Sequence, residues 1–283
     1  MRSEWKQAYI HANSIQIHVT RTGGDKPPVV LNHGAMDDGL CWTRVAKALE
    51  NEYDLIMLDT RGHGRSDSGQ GDYSSSTRAA DLAGAIQALG LNRPVVGGHS
   101  LGADAAMHLA AHYPDLTRGI FLEDPPVTLP GQPIFGGKIT EQKNPVKLML
   151  AFMRTIRLLP GFVGIPISRK LNPGYPDDEI IPWFNSKKRC SRDFLANMAQ
   201  SLDFSNGIPT ELLNRITVPV LLFIGDREAG SIVSQEVAEK MKDATEDLRI
   251  IHLPGASHDI RRTRFDSYVA ALRTFLAEIY PPA

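Results

Sequence analysis

Residues 94–102 read PVVGGHSLG, an apolar run that leads into Gly98-His99-Ser100-Leu101-Gly102. The pattern predicts a buried strand, a tight turn at Ser100 and then a helix. Gly98 and Gly102 lack a Cβ, so the serine backbone can adopt a positive φ while the helix packs close to its strand. That geometry exposes the Ser100 hydroxyl and directs the N–H of Leu101 toward a developing oxyanion. The stretch therefore predicts a serine that attacks a carbonyl carbon.

Composition and charge limit the classes of function. The chain has 283 residues, of which 42% are hydrophobic and 22% are charged, which is typical of a globular enzyme with a large core. Lys and Arg number 31 against 32 Asp and Glu, giving a net charge of −1. Because no basic block with interleaved aromatic residues occurs, we expect neither a nucleic acid nor a membrane as a binding partner. A small molecule is the expected partner, and the chain is expected to be a monomer or homodimer.

The two cysteines and the amino terminus bear on the cellular location. Cys41 and Cys190 are isolated in the sequence, so neither a disulfide framework nor a structural zinc site is indicated. The first 20 residues mix charged with apolar side chains and do not resemble a signal peptide. No window has the roughly 20 apolar residues that a membrane span needs. These observations predict a cytoplasmic enzyme.

The alternation of short apolar runs with longer amphipathic segments predicts the fold class. A polar turn at residues 12–14 separates two alternating runs, which suits an antiparallel hairpin. The later runs are apolar on both faces and alternate with helical segments, as in a parallel sheet covered on both sides. The predicted strands are 7–11, 15–20, 29–32, 55–59, 95–98, 119–123, 220–225 and 248–253, and the predicted helices are 41–51, 77–89, 101–113, 233–242 and 264–279. The fold class is α/β, with a mostly parallel eight-stranded sheet flanked by helices.

The alternation stops after Pro125-Pro126 and resumes only at residue 220. A structureless loop of that length is implausible, so the segment is predicted to be an inserted helical cap. Apolar spacing favours helices at 147–159 and 193–202, while prolines interrupt the remainder. The predicted division is a core of residues 1–125 and 211–283 with a cap of residues 126–210.

A serine nucleophile needs a histidine to accept its proton and a carboxylate to orient that histidine. His258 lies in the sequence Pro254-Gly255-Ala256-Ser257-His258-Asp259, directly after the last predicted strand. A loop at that place projects over the carboxyl edge of the sheet, where the turn bearing Ser100 is also expected. His258 is therefore the candidate general base.

With these pieces in place, the chain resembles the α/β-hydrolase fold superfamily over nearly its full length. Its matching motifs are His33-Gly34-Ala35 after the third strand, DTRGHGRS at 59–66 after the fourth, the Ser100 turn and the His258 loop. The resemblance implies Ser100 as nucleophile, His258 as general base and then acid, and an oxyanion hole formed by the N–H groups of Leu101 and Ala35. It implies neither a metal nor an organic cofactor.

Three carboxylates compete for the role of the orienting acid. Members of the family usually place it after the seventh strand, which here offers Asp226, close to the strand end, and Glu228, at the usual spacing. Some members take it from the sixth strand instead, where Asp124 follows Ser100 by 24 positions. The expected order is Asp226 first, Asp124 as the alternative and Glu228 third.

Other polar and aromatic residues are expected to have structural roles. His33 and His63 are expected to shape loops around the pocket, and the His99 side chain is expected to point away from it. The run 187–189, Lys-Lys-Arg, is expected to be a solvated helix face. The cap also carries aromatic residues that are expected to pack it onto the core and that are alternatively candidates for the wall of an apolar pocket: Phe135, Phe152, Phe162, Trp183 and Phe184.

The predicted function is hydrolysis of a carboxylic ester or lactone of a small apolar substrate through an acyl-enzyme. Hydrolysis of a carbon–carbon bond and cofactor-free perhydrolysis use the same three groups and remain alternatives. A ligand-binding receptor on a hydrolase scaffold is the alternative outside enzymes, because a fold does not guarantee a function.

Overall fold

A twisted eight-stranded sheet forms the centre of the molecule. The structure is a computed structural model that describes residues 5–132, 134, 145–201 and 207–281. The strands are β1 (Lys6–Ala12), β2 (Ile15–Arg21), β3 (Pro28–Asn32), β4 (Asp54–Leu58), β5 (Val95–His99), β6 (Gly119–Glu123), β7 (Val220–Ile224) and β8 (Leu248–His252). Their order is β1-β2-β4-β3-β5-β6-β7-β8, with β2 antiparallel to β1 and β4 and every later pair parallel. The predicted eight-stranded, mostly parallel sheet is confirmed.

Helices follow most of the strands. They are α1 (Thr43–Leu49), α2 (Ser75–Ala88), α3 (Leu101–His112), α4 (Pro145–Ile156), α5 (Gly161–Leu171), α6 (Asp177–Arg189), α7 (Arg192–Ser201), α8 (Thr210–Leu213), α9 (Gln235–Asp243), α10 (Ile260–Thr263) and α11 (Phe265–Ile279). Within the described ranges, no helix is long and apolar enough to cross a lipid bilayer. Cys41 and Cys190 are buried and unpaired.

Each face of the sheet carries its own hydrophobic core, because successive side chains of a strand point to opposite faces. In β7, Leu222 packs in the cluster that includes α2, α3 and α9. Its neighbours Leu221 and Phe223 pack in the cluster on the other face, which includes α1 and α11. The central strands, β3 to β7, are therefore buried on both faces and hold their carboxyl ends rigidly at one edge of the sheet.

The segment between β6 and β7 contains α4 to α7, where the sequence predicts an inserted cap. The sequence interpretation missed α5 and α6 because each contains an internal proline, Pro166 and Pro182. A proline removes one backbone hydrogen bond from a helix but does not end it when the neighbouring residues pack well. The division into core and cap at residues 126 and 210 stays a prediction, and Phe135 lies outside the described residues.

The glycines around β5 are required by close contacts. A Cβ on Gly98 would lie 2.2 Å from the carbonyl of Gly102, and one on Gly102 would lie 2.4 Å from the carbonyl oxygen of Asn32. A Cβ on Gly97 would overlap the ring of Phe121 at 1.8 Å. Helix α3 can therefore sit directly against β3 and β5, which brings its first residue to the edge of the sheet.

This packing predicts the effect of adding one methyl group. We expect Gly98→Ala to lower the free energy of unfolding by at least about 1–3 kcal/mol, the usual cost of overpacking a core. Gly119→Ala is the matched control, because its new Cβ would find its nearest neighbour at 3.4 Å. Urea denaturation of the two variants measures the difference. Equal stability of the two would contradict the close approach of α3 to the sheet.

Candidate active site

Ser100 occupies the turn between β5 and α3 in a strained backbone conformation. Its φ is 51° and its ψ is −119°, a region that residues with a side chain rarely adopt. Its N–H donates to the carbonyl of Glu123 in the neighbouring strand at 2.9 Å. The side chain lines a cavity of about 220 Å³ at the carboxyl edge of the sheet. The geometry predicted for this turn is therefore present.

His258 lines the same cavity and is held by a buried carboxylate. Its Nδ1 lies 2.6 Å from Oδ2 of Asp124. Since Asp124 is fully buried and follows β6, this carboxylate comes from the sixth strand. With Nδ1 donating its proton to Asp124, Nε2 is left as the proton acceptor of the ring.

The loop after β7 surrounds Asp124 with hydrogen-bond donors. Oδ1 accepts from the Ser231 hydroxyl at 2.7 Å and from the Val233 N–H at 2.9 Å. Oδ2 accepts from the Ile232 N–H at 2.8 Å, beside its bond to His258. A buried carboxylate needs such partners, because an unpaired charge in the interior is very costly. This loop therefore supplies hydrogen-bond donors to Asp124, and its own carboxylates do not take the place of Asp124 beside His258.

The structure corrects the expected order of acids. Asp226 contacts His252 and not His258: its Oδ1 lies 2.6 Å from His252 Nε2, and its Oδ2 accepts from the Gly255 N–H at 2.7 Å. Asp226 is thus a brace for the start of the loop that carries His258. Glu228 is exposed in a short turn (Arg227–Ala229). Of the three candidates, Asp124 alone contacts the imidazole of His258.

The electrostatics of the imidazole follow from its surroundings. Burial alone would lower the pKa of His258, but the hydrogen bond and charge of Asp124, with the charges of Asp259 and Glu123, raise that pKa above its ordinary value. The carboxylate therefore favours the protonated ring, which is the form that a general base reaches after it has accepted a proton.

The loop after β3 carries the predicted second oxyanion donor. Ala35 lines the cavity beside Ser100 and Leu101. The next residue, Met36, has a φ of 62°, and its N–H donates to Nε2 of His63 at 3.1 Å. Burial, helped by the charge of a neighbouring imidazole, lowers the pKa of His63 to about 3, so the ring stays neutral and can accept this bond. His63 thus fixes the loop from behind.

The remaining motif histidines support loops as well. His33 accepts from the Thr60 N–H at 3.0 Å and links two loops. The expected orientation of His99, away from the pocket, is wrong, since His99 lines the cavity with its ring centre 4.5 Å from that of His258. Its Nε2 lies 3.1 Å from the His258 carbonyl oxygen. Burial, with the charges of His258 and Arg261, lowers the pKa of His99 well below its ordinary value, so His99 is a neutral support for the histidine loop.

The cavity wall is part apolar and part polar. Of the predicted aromatic residues that the structure describes, Trp183 alone lines the cavity. Phe152 and Phe184 pack inside the cap, and Phe162 is 83% exposed. The apolar part is completed by the side chains of Met36, Leu101, Ile134, Met153, Met198 and Ile232, and the polar part consists of Asp37, Asn172, Tyr175, Lys187, Asp259 and Arg262. The site therefore offers one polar wall beside Ser100.

The charged residues of this wall form a buried ion network. The expectation that the run 187–189 is solvated is wrong for Lys187, which is 4% exposed and places its Nζ 2.6 Å from Asp37. Burial opposes ionisation of Asp37, but Arg262, Lys187 and Arg261 lower its pKa well below the ordinary value. The sequence interpretation missed this network because no local motif marks it.

One group of side chains within the network has the spacing of a metal site. The ligand atoms of Asp37, His99 and Asp259 lie within 4.8 Å of one another. Both carboxylates already bind cationic side chains: Asp37 binds Lys187, and Asp259 binds Arg262. A metal ion would have to compete with these cations, so the donor set fits an ion network better than a metal centre.

Comparison with known proteins agrees with this architecture. The sequence model of the Alpha/beta hydrolase family matches residues 29–271. The chain belongs to this family. A curated relative, the N-formylmaleamate deformylase of Pseudomonas putida, is 27% identical over 268 residues, which cover 94% of this chain and 95% of the relative. The 2-(acetamidomethylene)succinate hydrolase of Mesorhizobium japonicum is 26% identical over 269 residues and 90% of each chain.

Solved structures share the fold. A crystal structure of the N-formylmaleamic acid deformylase of Pseudomonas putida has a TM-score of 0.79 at 22% identity and covers 94% of this chain and all of that one. A thermophilic esterase from Thermogutta terrifontis has a TM-score of 0.71 at 23% identity and covers 97% of this chain and 99% of that one. At such identities the likeness shows the α/β-hydrolase fold and leaves the substrate open.

The contact between His258 and Asp124 predicts a titration result. Asp124→Asn removes the negative charge and leaves the burial, so the pKa of His258 should fall. Asp226→Asn is the matched control and should leave that pKa unchanged, because Asp226 contacts His252 and Gly255 instead. NMR titration of the His258 ring protons measures both. A larger fall in Asp226→Asn than in Asp124→Asn would contradict the assignment of the partner.

Proposed function

We propose that this chain is a serine hydrolase that cleaves a small carboxylic acid derivative through an acyl-enzyme on Ser100. His258 accepts the proton of the Ser100 hydroxyl as that oxygen attacks the carbonyl carbon, and Asp124 stabilises the imidazolium that results. The N–H groups of Ala35 and Leu101 bind the oxyanion. The tetrahedral intermediate expels the leaving group, which takes its proton from His258, and water then releases the acid by the same steps in reverse.

One observation carries this proposal: the imidazole lining the cavity of Ser100 has its Nδ1 2.6 Å from a fully buried carboxylate. Here the pairing orients Nε2 of a ring in the same cavity as a serine on a strained turn, which is the arrangement that activates a weak hydroxyl nucleophile.

An ester or lactone is the first candidate substrate. Such a carbonyl needs no strongly basic leaving group to be expelled, so the proposed triad suffices for its hydrolysis. The polar wall of the cavity favours a substrate with a polar group near the reacting carbonyl over the apolar one that the sequence predicts.

A small open-chain amide is the second candidate. It is favoured by the two curated relatives, whose names describe a deformylase of N-formylmaleamate and a hydrolase of 2-(acetamidomethylene)succinate, and which align with this chain over 90% or more of its length. Amide cleavage depends on protonation of the departing nitrogen, and the raised pKa of His258 suits that role.

A covalent probe tests whether the serine is activated. We expect a fluorophosphonate to label Ser100 stoichiometrically, because the triad raises the nucleophilicity of that hydroxyl above that of other serines. Peptide mass spectrometry identifies the labelled residue, with Ser100→Ala and His258→Ala as controls that should not be labelled at a measurable rate. A folded protein that stays unlabelled would favour the alternative of a ligand-binding scaffold.

Steady-state kinetics separate the candidate acids. We expect Asp124→Asn to lower kcat on a p-nitrophenyl ester by about 10⁴-fold, the loss seen when the orienting carboxylate of such a triad is replaced. Asp226→Asn, a substitution of equal size that only loosens a loop contact, should lower kcat by less than about 10-fold. The reverse order of the two losses would contradict the role given to Asp124.

A substrate panel separates the classes of reaction. The panel contains short-chain p-nitrophenyl esters, simple lactones, N-formylmaleamate as the amide, and a ring-fission dienone for carbon–carbon cleavage. The highest kcat/KM on an ester or lactone supports the first candidate, and the highest value on the amide supports the second. Turnover of the dienone alone would contradict both.

A further inference from the structure

Arg262 lies in α10, four residues after His258, and is 3% exposed. Each of its three guanidinium nitrogens meets a different carboxylate. Nε lies 3.2 Å from Glu179, Nη1 lies 2.5 Å from Asp259, and Nη2 lies 3.0 Å from Asp37. A single side chain therefore connects three parts of the chain that are distant in sequence.

Each of these carboxylates lies beside a group of the proposed mechanism. Asp259 directly follows His258 in the sequence. Asp37 follows Ala35 by two residues, in the loop that carries the proposed oxyanion donor. Glu179 belongs to α6, the cap helix whose Trp183 and Lys187 line the cavity. The three contacts thus connect the base, the oxyanion hole and the cap.

The three contacts of Arg262 depend on one another because the charges involved are largely buried. A guanidinium buried this deeply is stable only when its N–H groups are paired, and each of its carboxylate partners is costly to leave unpaired in the interior. Asp37 has two further cations beside it, Lys187 of the same α6 at 2.6 Å and Arg261 at 3.7 Å. Displacing α6 would remove Lys187 from Asp37 and Glu179 from Arg262. The network therefore favours a single arrangement of the His258 loop, the Ala35 loop and α6.

We propose that Arg262 is a positioning residue that holds the His258 loop, the Ala35 loop and α6 in the single arrangement that the reaction needs. The proposal rests on the function proposed above. If the proposal is right, the positions of His258 and of the Ala35 N–H depend on the position of α6. Contacts to three carboxylates at once require a planar group with three separate nitrogens, which arginine has and lysine lacks.

Arg262→Lys tests the proposal because it keeps the charge and removes the fork. We expect kcat on the best ester to fall by about 10²-fold, the effect of a misplacement of about 1 Å at a catalytic group, with a smaller change in KM. Glu179→Gln releases only the contact to α6 and should lower kcat by a smaller factor. The second-order rate of fluorophosphonate labelling should fall in the same order.

Arg61→Lys is the matched control for a merely structural role. Arg61 is 4% exposed, and its guanidinium makes two bonds to the carboxylate of Asp81, a pair that does not line the cavity. We expect this variant to lower Tm while kcat, measured well below Tm, stays within about 2-fold of wild type. Wild-type kcat in a folded Arg262→Lys, or equal losses of kcat in Arg262→Lys and Arg61→Lys, would overturn the proposal.

A spectroscopic measurement separates this proposal from the proposed function. The proton between His258 Nδ1 and Asp124 should give a downfield NMR resonance in wild type and in Arg61→Lys, whatever the substrate. In Arg262→Lys we expect that resonance to broaden or shift, because the histidine loop has lost one of its anchors. An unlabelled Ser100 would count against the proposed function, whereas an unchanged resonance in Arg262→Lys would count against the positioning role.

Discussion

The active-site arrangement depends first on the bond between His258 and a carboxylate that has no access to water. Asp124 is fully buried and accepts four hydrogen bonds, three of them from consecutive residues of the loop after β7. These donors hold the carboxylate in place, and it in turn fixes the plane of the imidazole. In the proposed mechanism such an imidazole needs little rearrangement to accept a proton, since its geometry is already that of the reacting state.

The sheet explains why these groups meet. Ser100, Asp124 and the loop of His258 follow β5, β6 and β8, and the carboxyl ends of these parallel strands lie at one edge. The network around Arg262 adds a second level of order, because it fastens the loops that follow the strands to each other and to α6. The close packing of the backbone at Gly98 and Gly102 surrounds Ser100 and supports its strained conformation.

Much of this was predictable from local patterns. The strands were visible as apolar runs, and the position of Ser100 followed from two glycines and a strand. The choice between Asp226 and Asp124 was not predictable in this way. Counting residues after a strand does not show that donors from a distant loop surround Asp124. Lys187 and His99 were misplaced for a related reason: a charged or polar side chain is buried only when distant partners compensate it, and sequence spacing does not reveal those partners.

The most direct test of the account is a crystal structure of the protein after reaction with a fluorophosphonate. We predict phosphorus bonded to Ser100 Oγ, a phosphoryl oxygen within hydrogen-bond distance of the Ala35 and Leu101 N–H groups, and His258 still bonded to Asp124. An adduct on another residue, or a phosphoryl oxygen directed away from both N–H groups with His258 turned from Asp124, would contradict it.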